Sequence, residues 1–355
     1  MENISKKIQL SARQASMVLG GLLIILLLFL IISGILLSLF YNPAPERAYE
    51  SMLTISNSGF MSLVRNFHYW SSDALLFIIF LHMTRVALTK PSGKARRYAW
   101  WIGVGLLMLV GTEMLAGTFL RADQESYEAY THFFLGTNAI VAKYFYIVTA
   151  FANFFSESSA LLRFLIVHAI LLPLGIFALI SVHGLFAPSF RGMLSPFKKI
   201  TEGTIRGNAM PPKDFWKHPI IQRLLLLTGV TFLIILVLSI VLPAPLYPAP
   251  YSNVEVTKPP WWLLWVVALE NQWGLGAIVL APPILFGIFA IIPFFAKDKP
   301  GIDKSILIYV TTVAVVIALS YWAAVAPQKA HTEHYAPGES TITPVPNPES
   351  LHLQH

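Results

Sequence analysis

The sequence contains no cysteine. That absence excludes thiolate-held iron–sulfur clusters, c-type thioether attachment, disulfides and cysteine nucleophiles. Histidine, methionine and non-covalent packing are left to hold any redox group. Charge is scarce as well: 12% of residues are Asp, Glu, Lys or Arg, against 55% hydrophobic, and mean hydropathy is +0.64. A water-soluble protein of 355 residues must keep its surface wet and does not have this balance. The net charge of +7 would suit a nucleic-acid binder only if the basic residues were clustered on a soluble face. Their placement assigns them another task, and no nucleic-acid partner is expected.

What is present in quantity is long apolar sequence. Seven segments are long enough to cross a bilayer, which takes roughly 20 helical residues. They run approximately 16–41, 69–89, 99–120, 163–187, 219–243, 275–296 and 305–326. No alternating barrel pattern occurs, and backbone hydrogen bonds must close internally in lipid, so the expected fold is an all-α integral membrane protein. The first apolar run is too long for a signal-peptide core and is read as a retained span. Orientation follows from Lys and Arg. With the N-terminus inside, the inner segments collect Lys6, Lys7 and Arg13; Lys90, Lys94, Arg96 and Arg97; Arg191, Lys198, Lys199, Arg206, Lys213, Lys217 and Arg223; and Lys297, Lys299 and Lys304. The outer segments hold Arg47, Arg65, Arg121, Lys143, Arg163, Lys258 and Lys329. The chain is therefore expected to be N-in and C-out.

The expected organisation is a cytoplasmic segment at 1–15, a four-helix bundle at 16–200, a linker at 201–218, a three-helix domain at 219–326 and an external tail at 327–355. Three outer stretches are long: 42–67, 121–162 and 244–274. The second is rich in aromatic residues, which suits short helices in the membrane interface. The tail carries many Pro, Ser, Thr and His residues and is expected to be disordered or to dock on a partner.

Of the ten histidines, four are read as belonging to the helices that span the membrane. His68 and His82 are 14 residues apart at the two ends of the second span, and His168 and His183 are 15 apart on the fourth. Fourteen residues make nearly four helical turns, so His68 and His82 share a face about 21 Å apart along the axis. Both spans run from outside to inside, which matches the upper pair with each other and the lower pair with each other. Two bis-imidazole sites stacked across the membrane suit two non-covalent b-type haems, with iron held by His68 and His168 and by His82 and His183. A lone intramembrane histidine can simply bond a neighbouring helix; two matched pairs are hard to obtain that way.

Glycines repeat the period. Gly20 and Gly34 on the first span, and Gly103 and Gly117 on the third, are each 14 apart. A porphyrin edge needs a helix face without side chains, although glycine pairs also serve helix–helix packing. Arg65, Arg85 and Arg163 lie near the two histidine levels and are candidates to pair with haem propionates; interfacial snorkelling is the ordinary alternative.

These residues resemble cytochrome b of the quinol–cytochrome c and quinol–plastocyanin oxidoreductases, closest to the plastid and cyanobacterial form. The resemblance rests on Arg65-Asn-Phe-His68 with His82-Met-Thr-Arg85, on the 15-residue spacing of His168 and His183, on Gly117-Thr-Phe-Leu-Arg-Ala-Asp-Gln124, and on Arg163-Phe-x-x-x-His168 followed by Pro173. It covers roughly 16–296 and, more weakly, the last span. The three-helix part resembles subunit IV of the plastid-type complex, here fused to the di-haem bundle. The resemblance implies quinol oxidation in an outer pocket. One electron would leave through a Rieske iron–sulfur protein and a c-type or multihaem cytochrome; the other would cross two haems to an inner quinone site. It also implies a homodimeric complex, and the fused form points to a prokaryotic plasma membrane.

Two departures stand out. The family's Pro-Glu-Trp-Tyr motif is matched by Pro259-Pro260-Trp261-Trp262, so the glutamate credited with accepting a quinol proton is missing. Quinol oxidation still releases protons, and another group must take them. Glu270 and Glu113 are the first candidates, with His132 and Asp73 behind them. The second departure is that no covalently attached haem is possible, since the position expected to carry its cysteine lies close to Val18. A different function also fits two haems: a quinone-reactive membrane anchor of a dehydrogenase, a hydrogenase or a multihaem cytochrome complex, without a Rieske partner. A haem-free transporter is the third.

Overall fold

The computed structural model describes residues 2–141, 160–186, 219–251, 257–299 and 301–326. Among the described residues every regular element is a helix, and there are ten. They are α1 (Glu2–Ser38), α2 (Pro45–Asn57), α3 (Gly59–Leu88), α4 (Lys94–Phe119), α5 (Gln124–Val141), α6 (Ala160–Phe186), α7 (Pro219–Val241), α8 (Leu264–Trp273), α9 (Gly276–Phe295) and α10 (Lys304–Val325). Seven of these are long and apolar enough to span a membrane: α1 from Met17 onward, α3, α4, α6, α7, α9 and α10. The expected all-α membrane fold with seven spans is what the structure shows. The linker at 201–218, the tail at 327–355 and the aromatic residues Tyr144, Phe145 and Tyr146 lie outside the described residues.

Local sequence explains most boundaries. Pro45 opens α2, where its fixed φ suits the first helical turn. The Ser58 hydroxyl accepts from the Met61 N–H and caps α3. Asp303 caps α10 by accepting from the N–H groups of Ser305 and Ile306. Gly274, with φ of 76°, ends α8 in a conformation that side-chain-bearing residues rarely adopt. Ala122, with φ of 53°, turns the chain sharply between α4 and α5 without glycine.

Helices α1, α3, α4 and α6 pack as a bundle, with α1 against α3 and α4 against α6, and α7 lies against α1 and α3. Leu22, Leu26, Leu75, Ile78, Ile176 and Ile235 fill the space they share. A second core of Leu76, Met83, Trp100, Phe289, Ile292 and Tyr309 joins α3 and α4 to α9 and α10. Polar bonds reinforce that junction: Trp100 and Trp101 donate to the Phe289 and Ala290 carbonyls, and Thr84 bonds Tyr309. Large apolar residues such as Leu226, Ile240 and Ile317 point outward with more than half of their surface exposed. In water that would be costly; in a bilayer it is the ordinary lipid-facing surface.

Candidate functional site

The four predicted histidines come together in two pairs inside the bundle. On the outer side His68 of α3 faces His168 of α6, with ring centroids 6.3 Å apart and ring planes at 70°. Two imidazoles bound to one iron, each nitrogen about 2 Å from the metal, place their centroids roughly 6 Å apart. Both rings are oriented by their Nδ1 atoms. The Ser33 hydroxyl donates to the Phe29 carbonyl, so it accepts from His68 Nδ1–H at 2.9 Å. His168 Nδ1 lies 3.0 Å from the Glu113 carbonyl oxygen, which can only accept. Nδ1 therefore carries the proton in both rings, and Nε2 is left to bind metal.

The glycines fit the same group. A Cβ built on Gly117 would come within 2.8 Å of His168 Cε1, and one on Gly34 within 3.3 Å of His68 Cε1. On the inner side a Cβ on Gly103 would lie 3.6 Å from His183 Cε1, while one on Gly20 would meet open space. His82 and His183 are electrostatic neighbours, and the buried His82 Nδ1 has no hydrogen-bond partner among the described residues. At the outer level, facing imidazoles, Nδ1 atoms that both meet acceptors and helix faces cleared by glycine suit a bis-histidine haem; at the inner level the matching features are the nearness of His82 to His183 and Gly103 against the His183 ring.

His168 sits in a π-turn, Val167–Leu171, within α6. A π-turn adds one residue to a regular helix. That insertion explains why His168 and His183 are 15 apart while His68 and His82 are 14 apart.

The arginines divide. Arg65 is buried and donates through Nη1 and Nη2 to the Ala244 and Pro245 carbonyls, so it holds the strand of chain leaving α7. Neighbouring side chains do the same work: Asn66 donates to the Ser239 carbonyl and Trp70 to the Leu242 carbonyl. Arg85 is half-buried at the inner end of α3 and is an electrostatic neighbour of His82. Arg163 lies one and a half turns before His168 on α6.

Beyond the outer histidine pair, a cavity of about 150 Å³ opens between α5, α8, α9 and the segment from Thr257 to Leu264. Its walls are mostly apolar, with Leu115, Val266, Ile278 and Pro282 among them. Its polar lining includes a carboxylate and an imidazole in contact. Glu270 of α8, 1% exposed, lies with Oε1 2.9 Å from His132 Nδ1 of α5, and both line the cavity. Of the Pro259-Pro260-Trp261-Trp262 run, Pro259 reaches the cavity; Trp261 donates to Asp73 at 3.1 Å, and Trp262 packs against the core that joins α3 and α4 to α9 and α10. Glu113 is not among the lining residues. It turns instead toward His168, so the two candidate acids occupy different places.

Two acids that the sequence did not single out belong to the same region. Glu125 lines the cavity and pairs with Arg121 at 2.8 Å. Burial pushes its carboxyl up to about 7 even though the Arg121 charge opposes the shift. Glu128 accepts from the Thr257 N–H and hydroxyl. Asp123 accepts from the N–H groups of Ser126 and Tyr247, while Gln124 donates its backbone N–H to the Pro248 carbonyl and accepts from the Tyr251 N–H through its side-chain oxygen. Together they staple the start of α5 to the segment that follows α7. Three carboxylates within six residues, in a chain this poor in charge, were the available signal.

Comparison with known proteins agrees with this geometry. Residues 5–190 match the family described as Cytochrome b/b6/petB. Cytochrome b6 of Heliobacterium mobile is 36% identical over 112 residues, which is 31% of this chain and 53% of that protein. Cytochrome b6 of Synechocystis sp. is 31% identical over 167 residues, 46% of this chain and 75% of that protein. The chain thus spans about half the length of the heliobacterial relatives it matches. A chain from a solved structure described as a hyperthermophilic respiratory Complex III superposes with a TM-score of 0.69 at 20% identity, covering 88% of this chain and 85% of that one. The shared fold therefore extends past the family match into α7 to α10. The protein belongs to the cytochrome b/b6 family of multi-pass membrane haem proteins.

Proposed function

We propose that this chain oxidises quinol at the outer cavity and carries electrons across the membrane through two b haems to a quinone site on the inner side. The observation that supports it most is the facing pair His68 and His168, both rings fixed through Nδ1, together with a cavity whose polar lining includes His132 and Glu270. His68 and His168 would hold the outer haem, and His82 and His183 the inner one. Bound haem supplies a one-electron carrier at each level.

Oxidation of quinol to quinone releases two electrons and two protons. One electron leaves through a Rieske iron–sulfur partner toward a c-type or multihaem cytochrome, and the other passes inward. The cavity has mostly apolar walls and presents an imidazole and a buried carboxylate within contact of each other. That pair is suited to take a proton from a hydroxyl and pass it on. It stands in for the missing motif glutamate, and Glu125 at the same cavity is available for the second proton. Together with its partner subunits, the unit is a homodimeric complex in a prokaryotic plasma membrane that contributes to proton translocation.

A potentiometric titration of membranes containing the full complex, followed by visible spectroscopy, tests the haem assignment. Two b-type components are expected in the wild type; a spectrum without a b-type band ends the proposal. Proteins that co-purify separate it from a quinone-reactive anchor, which would bring a dehydrogenase or hydrogenase and no Rieske protein.

A further inference from the structure

Glu113 of α4 lies against His168 and not among the residues that line the cavity. Its backbone carbonyl accepts from His168 Nδ1–H at 3.0 Å, and its side-chain Oε1 lies 3.2 Å from the same nitrogen. The second oxygen, Oε2, is buried and has no hydrogen-bond partner among the described residues. A carboxylate inside a membrane span is costly unless it is engaged, and its engagement here is with a metal-ligating ring.

We infer that Glu113 is a positioning residue that lowers the reduction potential of the outer haem by sharing the Nδ1 proton of His168. This rests on the two-haem proposal above. A ligand imidazole that donates its second N–H to a carboxylate becomes a stronger base and a stronger donor to the metal. The oxidised iron gains more from that donation than the reduced iron. Negative charge beside the ring acts in the same direction. Hydrogen bonding to an axial ligand is one of the levers by which a protein sets a haem potential.

The other three ligands are placed differently. His68 meets the neutral Ser33 hydroxyl. At the inner pair the Arg85 cation lies near His82, and the Ala99 carbonyl lies beside His183. A carboxylate on the outer pair and a cation by the inner pair make an electrostatic slope that favours electron movement from the outer haem to the inner. Reduction at either level adds one electron to iron, and no covalent bond is made or broken.

The test is a potentiometric titration of the full complex in membranes, comparing wild type with Glu113→Gln and Glu113→Asp. In Glu113→Gln the outer haem is expected to become easier to reduce by roughly tenfold in its equilibrium constant, about 59 mV for one electron, while the inner component stays in place. Glu113→Asp keeps the charge but withdraws it by one methylene and is expected to shift the same component less. The low-spin ferric electron paramagnetic resonance signal of that haem should move with the potential, reporting the changed ligand. Two bound haems with both potentials unchanged in Glu113→Gln would overturn the inference and leave the two-haem proposal standing. Loss of the outer haem in both variants would overturn it too, by making Glu113 a structural residue. A wild type without b-type bands would remove the proposal on which it rests.

Discussion

His132 and Glu270 meet at 2.9 Å although they lie on α5 and α8, in the two parts of the chain on either side of α6 and α7. Glu270 is 1% exposed, so its carboxyl is removed from water and held against an imidazole at the wall of the cavity. Replacing it by glutamine preserves shape and removes the acid–base function. Quinol oxidation by Glu270→Gln should slow by about a hundredfold, the usual scale for losing a general base, with both haem spectra intact. Steady-state turnover of the purified complex checks this; wild-type turnover would remove the pair from the proton path.

The glycines facing the histidines predict a graded series. A Cβ at Gly117 falls 2.8 Å from the His168 ring, at Gly34 3.3 Å from the His68 ring, and at Gly103 3.6 Å from the His183 ring. The first distance forces a ring or a helix to move, the second asks for a few tenths of an ångström, and the third is ordinary contact. Haem content measured on purified alanine variants should fall most for Gly117→Ala, less for Gly34→Ala and least for Gly103→Ala. An inverted order would mean that the rings are not set by these helix faces.

The staple between α5 and the segment after α7 predicts a loss of stability without a loss of haem. Asp123→Ala strands the Tyr247 and Ser126 N–H groups, and Glu128→Ala strands that of Thr257. Each should destabilise by about 1–3 kcal/mol. Thermal denaturation of the solubilised protein reads this directly, with the haem spectrum as the control for the bundle.

Glu125 predicts a pH dependence. Its carboxyl is pushed up to about 7 in the folded protein from an ordinary 4.5. Between those values the unfolded chain ionises while the folded one keeps its proton, so the folded state binds more protons and its stability falls as pH rises. Below about 4.5 the full contribution is present, and it is lost as pH climbs through about 7. Glu125→Gln should flatten that part of the thermal stability profile. A slope that survives the substitution would assign it to another group.

Much of this was readable from the sequence because hydropathy reports the bilayer. The fifth span, expected at 219–243, is Pro219–Val241. Hydropathy does not report where a helix continues into water. The second span was expected from residue 69, but α3 begins at Gly59 under its Ser58 cap, which places His68 well inside the helix. The histidine pairs were also readable, as was Glu270 as an acid on the outer side. What was not readable depends on tertiary contact or local irregularity. Nothing near Glu270 in sequence announces His132. Nothing in the spacing of His168 and His183 reveals the π-turn that reconciles 15 residues with 14. Arg65 was a candidate for propionate pairing, but its partners are carbonyls about 180 positions away.

Those long-range bonds have a consequence for how the polypeptide can be divided. Arg65, Asn66, Trp70, Asp123, Gln124 and Glu128 all reach across to residues between Ser239 and Thr257. None of these bonds passes through positions 187–218. A scission there would leave each of these bonds in place, so one polypeptide or two could carry the same set of contacts.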